Sequence, residues 1–262
     1  LGSATPSVET THQAQRGVYQ KLILRSRFNQ QPLPRVVIAD MREEVRAGNS
    51  GMIGAPLRRE LEENLRRGEQ SILFLNRRGS SRMLLCGECG EAPQCPRCSV
   101  PLTYHSANGR LMCHYCGHSE RAPDRCPECG GIMKQIGAGT QKVEEELNAL
   151  FPGAGVLRMD ADTVSGNHEA LLDKFEKEKI PILLGTQMVA KGLDFEDVTL
   201  VGVVSADLSL YVDNYHAAER TFSLLTQVVG RAGRGSKDGR AVIQTFTPDN
   251  EVITSAAHQD YN

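Results

Sequence analysis

A doubly wound α/β domain carrying a cysteine-rich insertion is the fold this sequence predicts. Two observations carry that reading. Short runs rich in Val, Ile and Leu alternate with amphipathic helical segments along most of the chain. All eight cysteines are confined to the window from Cys86 to Cys129, which breaks the alternation.

The expected strands are Gln20–Leu24, Arg35–Ala39, Ser71–Leu75, Met133–Ile136, Gly155–Met159, Pro181–Leu184, Thr199–Val204 and Ala241–Phe246. Such continuous apolar runs suit a parallel sheet buried on both faces. Between them lie the helices. Pro56–Arg67 places Leu57, Leu61 and Leu65 on one stripe, and Gly68 stops it. Gln141–Leu150 carries Val143, Leu147 and Leu150 on one face and ends at Pro152-Gly153. His168–Lys177 repeats the pattern with Leu171, Leu172 and Phe175, and Tyr215–Val229 turns Phe222, Leu225 and Val229 inward. Strand and helix alternating in this way imply a sheet wound on both faces.

Composition limits the function classes. The 262 residues are 40% hydrophobic and 24% charged, with a formal net charge of -2. That is ordinary for a folded globular chain and argues against bulk disorder. No run of about 18 apolar residues exists, so no membrane span is expected. The start at Leu1 shows no signal-peptide pattern and no initiator Met, so a fragment or processed chain is expected. With charge near zero, any nucleic-acid contact must come from local patches.

The cysteines form four C-x-x-C pairs: Cys86/Cys89, Cys95/Cys98, Cys113/Cys116 and Cys126/Cys129. Two thiolates at that spacing fit one tight turn whose amides face the sulfurs, and Gly90, Gly117 and Gly130 close three such turns. Two turns make a closed tetrahedral zinc site, so four make two structural sites. Disulfides, free thiols, an iron–sulfur cluster or a redox pair are the competing readings. The second and third pairs are separated by 14 residues, close to a zinc-ribbon spacing, whereas the first and second are separated by only five. The nested grouping is therefore expected. Cys95, Cys98, Cys113 and Cys116 share one zinc, and Cys86, Cys89, Cys126 and Cys129 share the other. His105, His114 and His118 are read as surface residues.

Two further stretches carry chemistry. Gly185-Thr186-Gln187-Met188-Val189-Ala190-Lys191-Gly192-Leu193-Asp194 follows an expected strand, where open α/β sheets place ligands. Gln227-Val228-Val229-Gly230-Arg231-Ala232-Gly233-Arg234-Gly235 ends the longest helix, and its two arginines can close on phosphate oxygens. In this order the two stretches resemble motifs V and VI of superfamily 2 helicases. Gly2-Ser3-Ala4-Thr5-Pro6-Ser7 is similar to motif III, Leu73–Gly79 to motif IV, and Gly139-Thr140-Gln141 to a DNA-contacting motif before a helix. With the eight-Cys insertion after motif IV, and with Arg158–Thr163 and Ala217–Arg220, the chain resembles the PriA (primosomal protein N′) family of bacterial replication-restart helicases over essentially its whole length. Asp213-Asn214-Tyr215-His216 departs from that family's usual Pro-Asp-Phe-Arg.

The resemblance implies a RecA-like second helicase lobe and 3′-to-5′ unwinding of branched DNA driven by ATP with Mg2+. It implies that Arg231 and Arg234 reach the γ-phosphate, with Gln227 near the nucleotide and Gly192 and Asp194 at the ribose. Thr186, Thr140 and Arg78 would hold the DNA backbone, and Ser3 and Thr5 would couple nucleotide state to lobe movement. Implied partners are branched and single-stranded DNA, primosome proteins and the helicase loader, and single-stranded DNA-binding protein. The implied location is the bacterial cytoplasm at nucleoid forks, with no membrane partner. The zinc insertion would serve both fork contact and partner docking.

On this reading residues 1–33 are the end of lobe one, 34–85 and 131–262 are lobe two, and 86–130 are the zinc insertion. No G-x-x-x-x-G-K-[ST] or Asp-Glu-x-His motif occurs, so the chain alone is expected not to hydrolyse ATP. A zinc-dependent interaction platform on an α/β scaffold, without catalysis, is the alternative from another class. A zinc-ribbon transcription component is a weaker third reading, since it leaves Gly185–Asp194 unexplained.

Overall fold

The computed structural model describes residues 2–24, 32–76, 83–137, 139–160, 168–186, 189, 195–211 and 214–260. Helix α1 is Val8–Gln15, followed by β1 (Arg35–Asp40), α2 (Met41–Arg46), α3 (Ala55–Arg67), β2 (Gln70–Leu75) and β3 (Met83–Cys86). Next come β4 (Thr103–His105), β5 (Arg110–Met112), β6 (Ser119–Arg121) and β7 (Met133–Ile136). The chain continues with α4 (Thr140–Leu150), β8 (Val156–Met159), α5 (His168–Lys177), β9 (Ile182–Gly185) and β10 (Val198–Ser205). It ends with α6 (Asp207–Leu210), α7 (Ala217–Val229), β11 (Arg240–Thr245) and α8 (Glu251–His258).

Six strands form one sheet in the order β1-β11-β10-β2-β9-β8. Every pairing in it is parallel. Alternation along the strands sends side chains to two separate cores. Ile72 and Phe74 of β2 face one side, packing with Phe175 of α5, Leu225 and Val229 of α7 and Ile253 of α8. Leu73 and Leu75 face the other, packing with Leu57 and Leu61 of α3 and Val143 and Leu147 of α4. The doubly wound α/β class follows directly, since a sheet apolar on both faces has to be covered on both. At Gly202 of β10 an added Cβ would lie 2.5 Å from Leu73 Cδ2 and 2.7 Å from Leu57 Cδ1, so α3 rests almost on the strand backbone.

Two expectations need correction. Gln20–Leu24 is not a strand: it runs as irregular chain, with Leu22 82% and Leu24 95% exposed. An apolar run becomes a strand only where a neighbour takes up its backbone groups, and no described residue does so here. The regular element in residues 2–24 is instead α1, capped by Ser7, whose side chain accepts from the Thr10 amide. Met133–Ile136 is a strand but not part of the main sheet. It pairs antiparallel with Met83–Cys86, a strand the apolar pattern left unrecognised beside the first Cys pair.

The cysteine region sits at the carboxyl ends of the parallel strands. Met83 and Leu85 of β3 pack with Met41, Ala92 and Phe246, the residue after β11. Beyond this stem, β4, β5 and β6 form a separate antiparallel sheet.

Candidate functional site

The four C-x-x-C turns share one backbone design. The amide of the first Cys donates to the carbonyl five residues on: Cys86 to Glu91, Cys95 to Val100, Cys113 to His118 and Cys126 to Gly131, each at 2.8 Å. The residue after the second Cys returns its amide to the first Cys carbonyl and takes a positive φ: Gly90, Gly117 and Gly130, and in the second turn Ser99 at 52°. Glycine adopts that conformation without steric cost.

These turns gather the sulfurs into two groups. The Sγ atoms of Cys86, Cys89, Cys126 and Cys129 lie within 4.8 Å of one another, and so do those of Cys95, Cys98, Cys113 and Cys116. No His joins either group among the described residues. Closest approaches are 3.4 Å for Cys86–Cys129, 3.7 Å for Cys89–Cys126 and 3.6 Å for Cys95–Cys116. A disulfide needs about 2.05 Å, whereas the edge of a zinc–thiolate tetrahedron is about 3.8 Å for Zn–S bonds of about 2.3 Å. Two four-cysteine clusters compatible with two zinc ions are therefore present, in the nested arrangement. Cys86, fully buried on β3, receives the amides of Glu88 at 3.4 Å and Cys89 at 3.5 Å.

The thiols are electrostatically unequal. Burial pushes Cys86 up, but the Cys89 and Glu88 amides and the Cys129 thiol outweigh it and bring it to about 7. The Cys116 and Tyr115 amides likewise bring Cys113 to about 7. Cys89 is pushed up to about 12 by burial and by neighbouring sulfurs, and Cys98 to about 12 chiefly by Cys116. Cys86 thus ionises readily beside Cys89, which retains its proton, and Cys113 beside Cys98, a pattern that a divalent cation resolves. The first cluster is fastened to the sheet. An added Cβ on Gly90 would lie 2.4 Å from the Phe246 carbonyl oxygen, and one on Gly131 would lie 2.9 Å from Cys86 Sγ.

The arginine loop lies at the opposite end of the sheet. Helix α7 runs back from the carboxyl edge, and the Gly233 amide donates to the carbonyl of Val198, the first residue of β10, at 3.0 Å. An added Cβ on Gly235 would lie 2.5 Å from the Glu196 carbonyl oxygen. Gly233, at φ 67°, also packs against Gly239. Glycines at 233 and 235 therefore let the loop close against residues 195–198, with Arg231 and Arg234 half-buried on it. Arg234 Nε donates to the Gly230 carbonyl at 3.2 Å.

Gln227 points to the N-terminal segment. Its Nε2 donates to Ser223 Oγ at 3.0 Å and to Thr5 Oγ1 at 3.4 Å, and the Thr5 and Ser223 hydroxyls are 2.7 Å apart. Ser3, which is exposed, accepts the Thr5 amide at 3.1 Å. Thr186 is half-buried at the carboxyl end of β9, and its carbonyl accepts the Val189 amide at 3.0 Å. Thr140 departs from its expected role. It is fully buried and its hydroxyl donates to Asp160, so that hydroxyl is not offered to a DNA backbone. Arg78, Gly192 and Asp194 lie outside the described residues.

Sequence reasoning missed Asp207 and Ser223. Asp207 is fully buried on α6 and accepts Thr245 Oγ1 at 2.7 Å, Thr247 Oγ1 at 3.0 Å and the Phe246 amide at 3.1 Å. Burial raises its pKa. It ties the end of β11 to α6 beside the cysteine stem. No local signal could have found it, since its partners lie about 40 residues away. Ser223 could have been found from its i, i+4 spacing to Gln227 on the polar face of α7.

Parallel strands covered on both faces, an Arg-x-x-Arg loop set by two glycines and a pair of four-cysteine clusters define a helicase C-terminal RecA-like domain with a cysteine-rich insertion. Residues 135–236 match the helicase conserved C-terminal domain family, and residues 95–121 match the PriA DNA helicase Cys-rich region domain. By sequence the chain is similar over its whole length to the replication restart proteins PriA. It is 52% identical over 264 residues to that of Bacillus subtilis, covering 100% of this chain and 33% of that protein. Those of Synechocystis and Haemophilus influenzae are 45% and 40% identical, again over 100% of this chain, and 33% and 36% of theirs. The chain thus spans about a third of the length of the curated relatives it matches. Among the described residues no helix is long and apolar enough to cross a membrane.

Proposed function

We propose that the chain is the second RecA-like lobe, with its zinc-binding insertion, of an ATP-dependent 3′-to-5′ DNA helicase. In this reading the whole enzyme recognises stalled or branched replication forks and starts primosome assembly for replication restart. The observation that carries it is the Arg231–Arg234 loop, closed by Gly233 and Gly235 on the chain at Glu196–Val198. Two half-buried guanidiniums on a loop so fixed suit a polyphosphate. Guanidinium stabilises the charge that builds on a γ-phosphate during transfer. Arg234 is the better finger candidate, Arg231 its companion. Gln227 reports nucleotide state to Thr5 through the shared hydroxyl contact. Gly192 and Asp194 would meet the ribose, and Thr186 and Arg78 the DNA backbone.

The two four-cysteine clusters supply structure rather than catalysis, because a closed thiolate shell leaves zinc no open position. They would brace the surface that meets fork DNA, primosome proteins, the helicase loader and single-stranded DNA-binding protein. The sequence holds no phosphate-cradling G-x-x-x-x-G-K-[ST] stretch, so the isolated chain should not turn over ATP. The full-length protein tests the reading. Arg234→Ala should abolish DNA-stimulated ATP hydrolysis while leaving zinc content unchanged. Unaltered hydrolysis would favour the non-catalytic interaction platform instead.

A further inference from the structure

We propose that Cys129 and Cys116 are sites of modification by hydrogen peroxide, each closed into a disulfide by the buried cysteine it faces across its cluster, Cys86 and Cys95 respectively. The modification stands on the two clusters alone and is independent of the helicase reading.

Both clusters repeat one asymmetry. The cysteine that opens the first knuckle is buried, Cys86 in one cluster and Cys95 in the other. The cysteine that closes the second knuckle is exposed, Cys129 in one and Cys116 in the other. These opposites are close neighbours. Cys86 Sγ is 3.4 Å from Cys129 Sγ, and Cys95 Sγ is 3.6 Å from Cys116 Sγ. Each cluster thus presents one cysteine to solvent with a sheltered sulfur in contact with it.

In the first cluster the shelter is built into the turns. Gly131 passes so close to Cys86 that an added Cβ would lie 2.9 Å from its Sγ. The amides of Glu88 and Cys89 approach the same sulfur at 3.4 Å and 3.5 Å. The knuckle of Cys129 is open, and Arg125 places a guanidinium on it by donating to the Gly130 carbonyl at 3.1 Å. Exposure and a nearby cation are what make a cysteine sulfur reactive.

Hydrogen peroxide is the one reagent the chemistry needs. The Cys129 thiolate attacks a peroxide oxygen: the O–O bond breaks, an S–O bond forms and hydroxide leaves. The Cys86 thiolate then attacks the sulfenic sulfur: the S–O bond breaks, the S–S bond forms and a second hydroxide leaves. Each sulfur gives up one electron, and the peroxide takes both. Closing the gap from 3.4 Å to about 2.05 Å asks for little movement. Pairing within the turn, Cys126 with Cys129, is the competing outcome. It is disfavoured because Cys126 is buried and already faces Cys89 at 3.7 Å. The product staples one knuckle to the other and withdraws two of the four thiolates that a closed zinc site requires. The cluster then gives up its ion, and a thiol reductant reverses the step.

Treating the zinc-loaded chain with dilute hydrogen peroxide tests this. Released metal is read with a chromophoric chelator, and the sulfurs are read by alkylation and peptide mass mapping. Metal should leave as the Cys86–Cys129 and Cys95–Cys116 disulfides appear, and a thiol reductant with added zinc should restore both ions. A cyclic diketone that captures sulfenic acids should mark Cys129 and Cys116 and spare Cys86 and Cys95. Cys129→His keeps a zinc donor but removes the oxidisable sulfur, so it should slow the loss of one ion of two by about tenfold. The wild-type disulfide map decides alone where that variant does not load. The proposal is overturned if the first disulfides form within a C-x-x-C turn, if the diketone marks the buried cysteines first, or if fully loaded Cys129→His loses both ions at the wild-type rate.

Discussion

The hydroxyl of Thr5 lies 2.7 Å from that of Ser223, a contact between residues 218 positions apart. It buries Thr5 against α7 and gives Gln227 a shared partner, so the N-terminal segment and the helix that carries the arginine loop behave as one unit.

Ser223→Ala should loosen that unit without unfolding the sheet. Removing one partner of a hydrogen bond of this kind costs roughly 1 kcal/mol. A double-mutant cycle with Thr5→Ala, read by urea unfolding, should return a coupling of that size. Additive effects would mean that the two hydroxyls do not interact.

Loss of one metal should be local. Cys95→Ser should release one zinc of two and leave the far-ultraviolet dichroism of the α/β domain intact, because its cluster sits beyond the stem on the β4–β6 sheet. Cys86→Ser should cost more stability, because Cys86 is fully buried on β3, against the stem that packs on Met41 and Phe246. Elemental analysis and thermal unfolding of both variants check the contrast.

Zinc affinity should weaken as the solution is acidified. Metal binding requires thiolates, and in the free clusters Cys86 and Cys113 are at about 7 while Cys89 and Cys98 are pushed up to about 12. Protons therefore leave when zinc enters, from the high sulfurs at neutral pH and from Cys86 and Cys113 as well below about pH 7. Competition titrations with a chromophoric chelator should show more than a tenfold loss of affinity per pH unit below that point. A flat profile from about pH 6 to pH 8 would contradict the coupling.

Gly90→Ala should separate the first knuckle from the sheet. The new Cβ would meet the Phe246 carbonyl oxygen at 2.4 Å, and the backbone sits at φ 81°. Strain at a positive φ costs of order 1–3 kcal/mol before the clash is counted. Calorimetry should show a lowered melting temperature, and zinc should leave the Cys86 cluster at lower chelator concentrations than in the wild-type chain.

The sheet was legible because its strands are buried on both faces. Ile72–Leu75 and Leu200–Val204 read as strands for the same reason that they pack as strands. Gln20–Leu24 also ends in an apolar run, Leu22-Ile23-Leu24, and fails, because composition says what a segment could pair with and not whether a partner is there. Helix α2 and α8 escaped notice: their apolar residues, such as Val45 and Ile253, are too few over so short a span to show a period. The cysteine turns were legible down to their nested grouping, since spacing governs which loops can face one ion. The place of the arginine loop was not. The contacts of Gly233 with Val198 and of Glu9 with His216 join residues far apart in sequence, and no local pattern announces them.

The cysteine stem meets the carboxyl edge of the sheet at Phe246, directly after β11, while the arginine loop grips the amino end of β10. Strand β10 has eight residues and spans about 26 Å at about 3.3 Å per residue. A pull on the metal knuckles therefore runs along the strand axes toward the arginine loop. It loads the β1–β11–β10 hydrogen bonds together in shear, where a ladder resists best, rather than peeling them one at a time. The sheet is therefore a tie between the metal stem and the arginine loop, strongest along its strands.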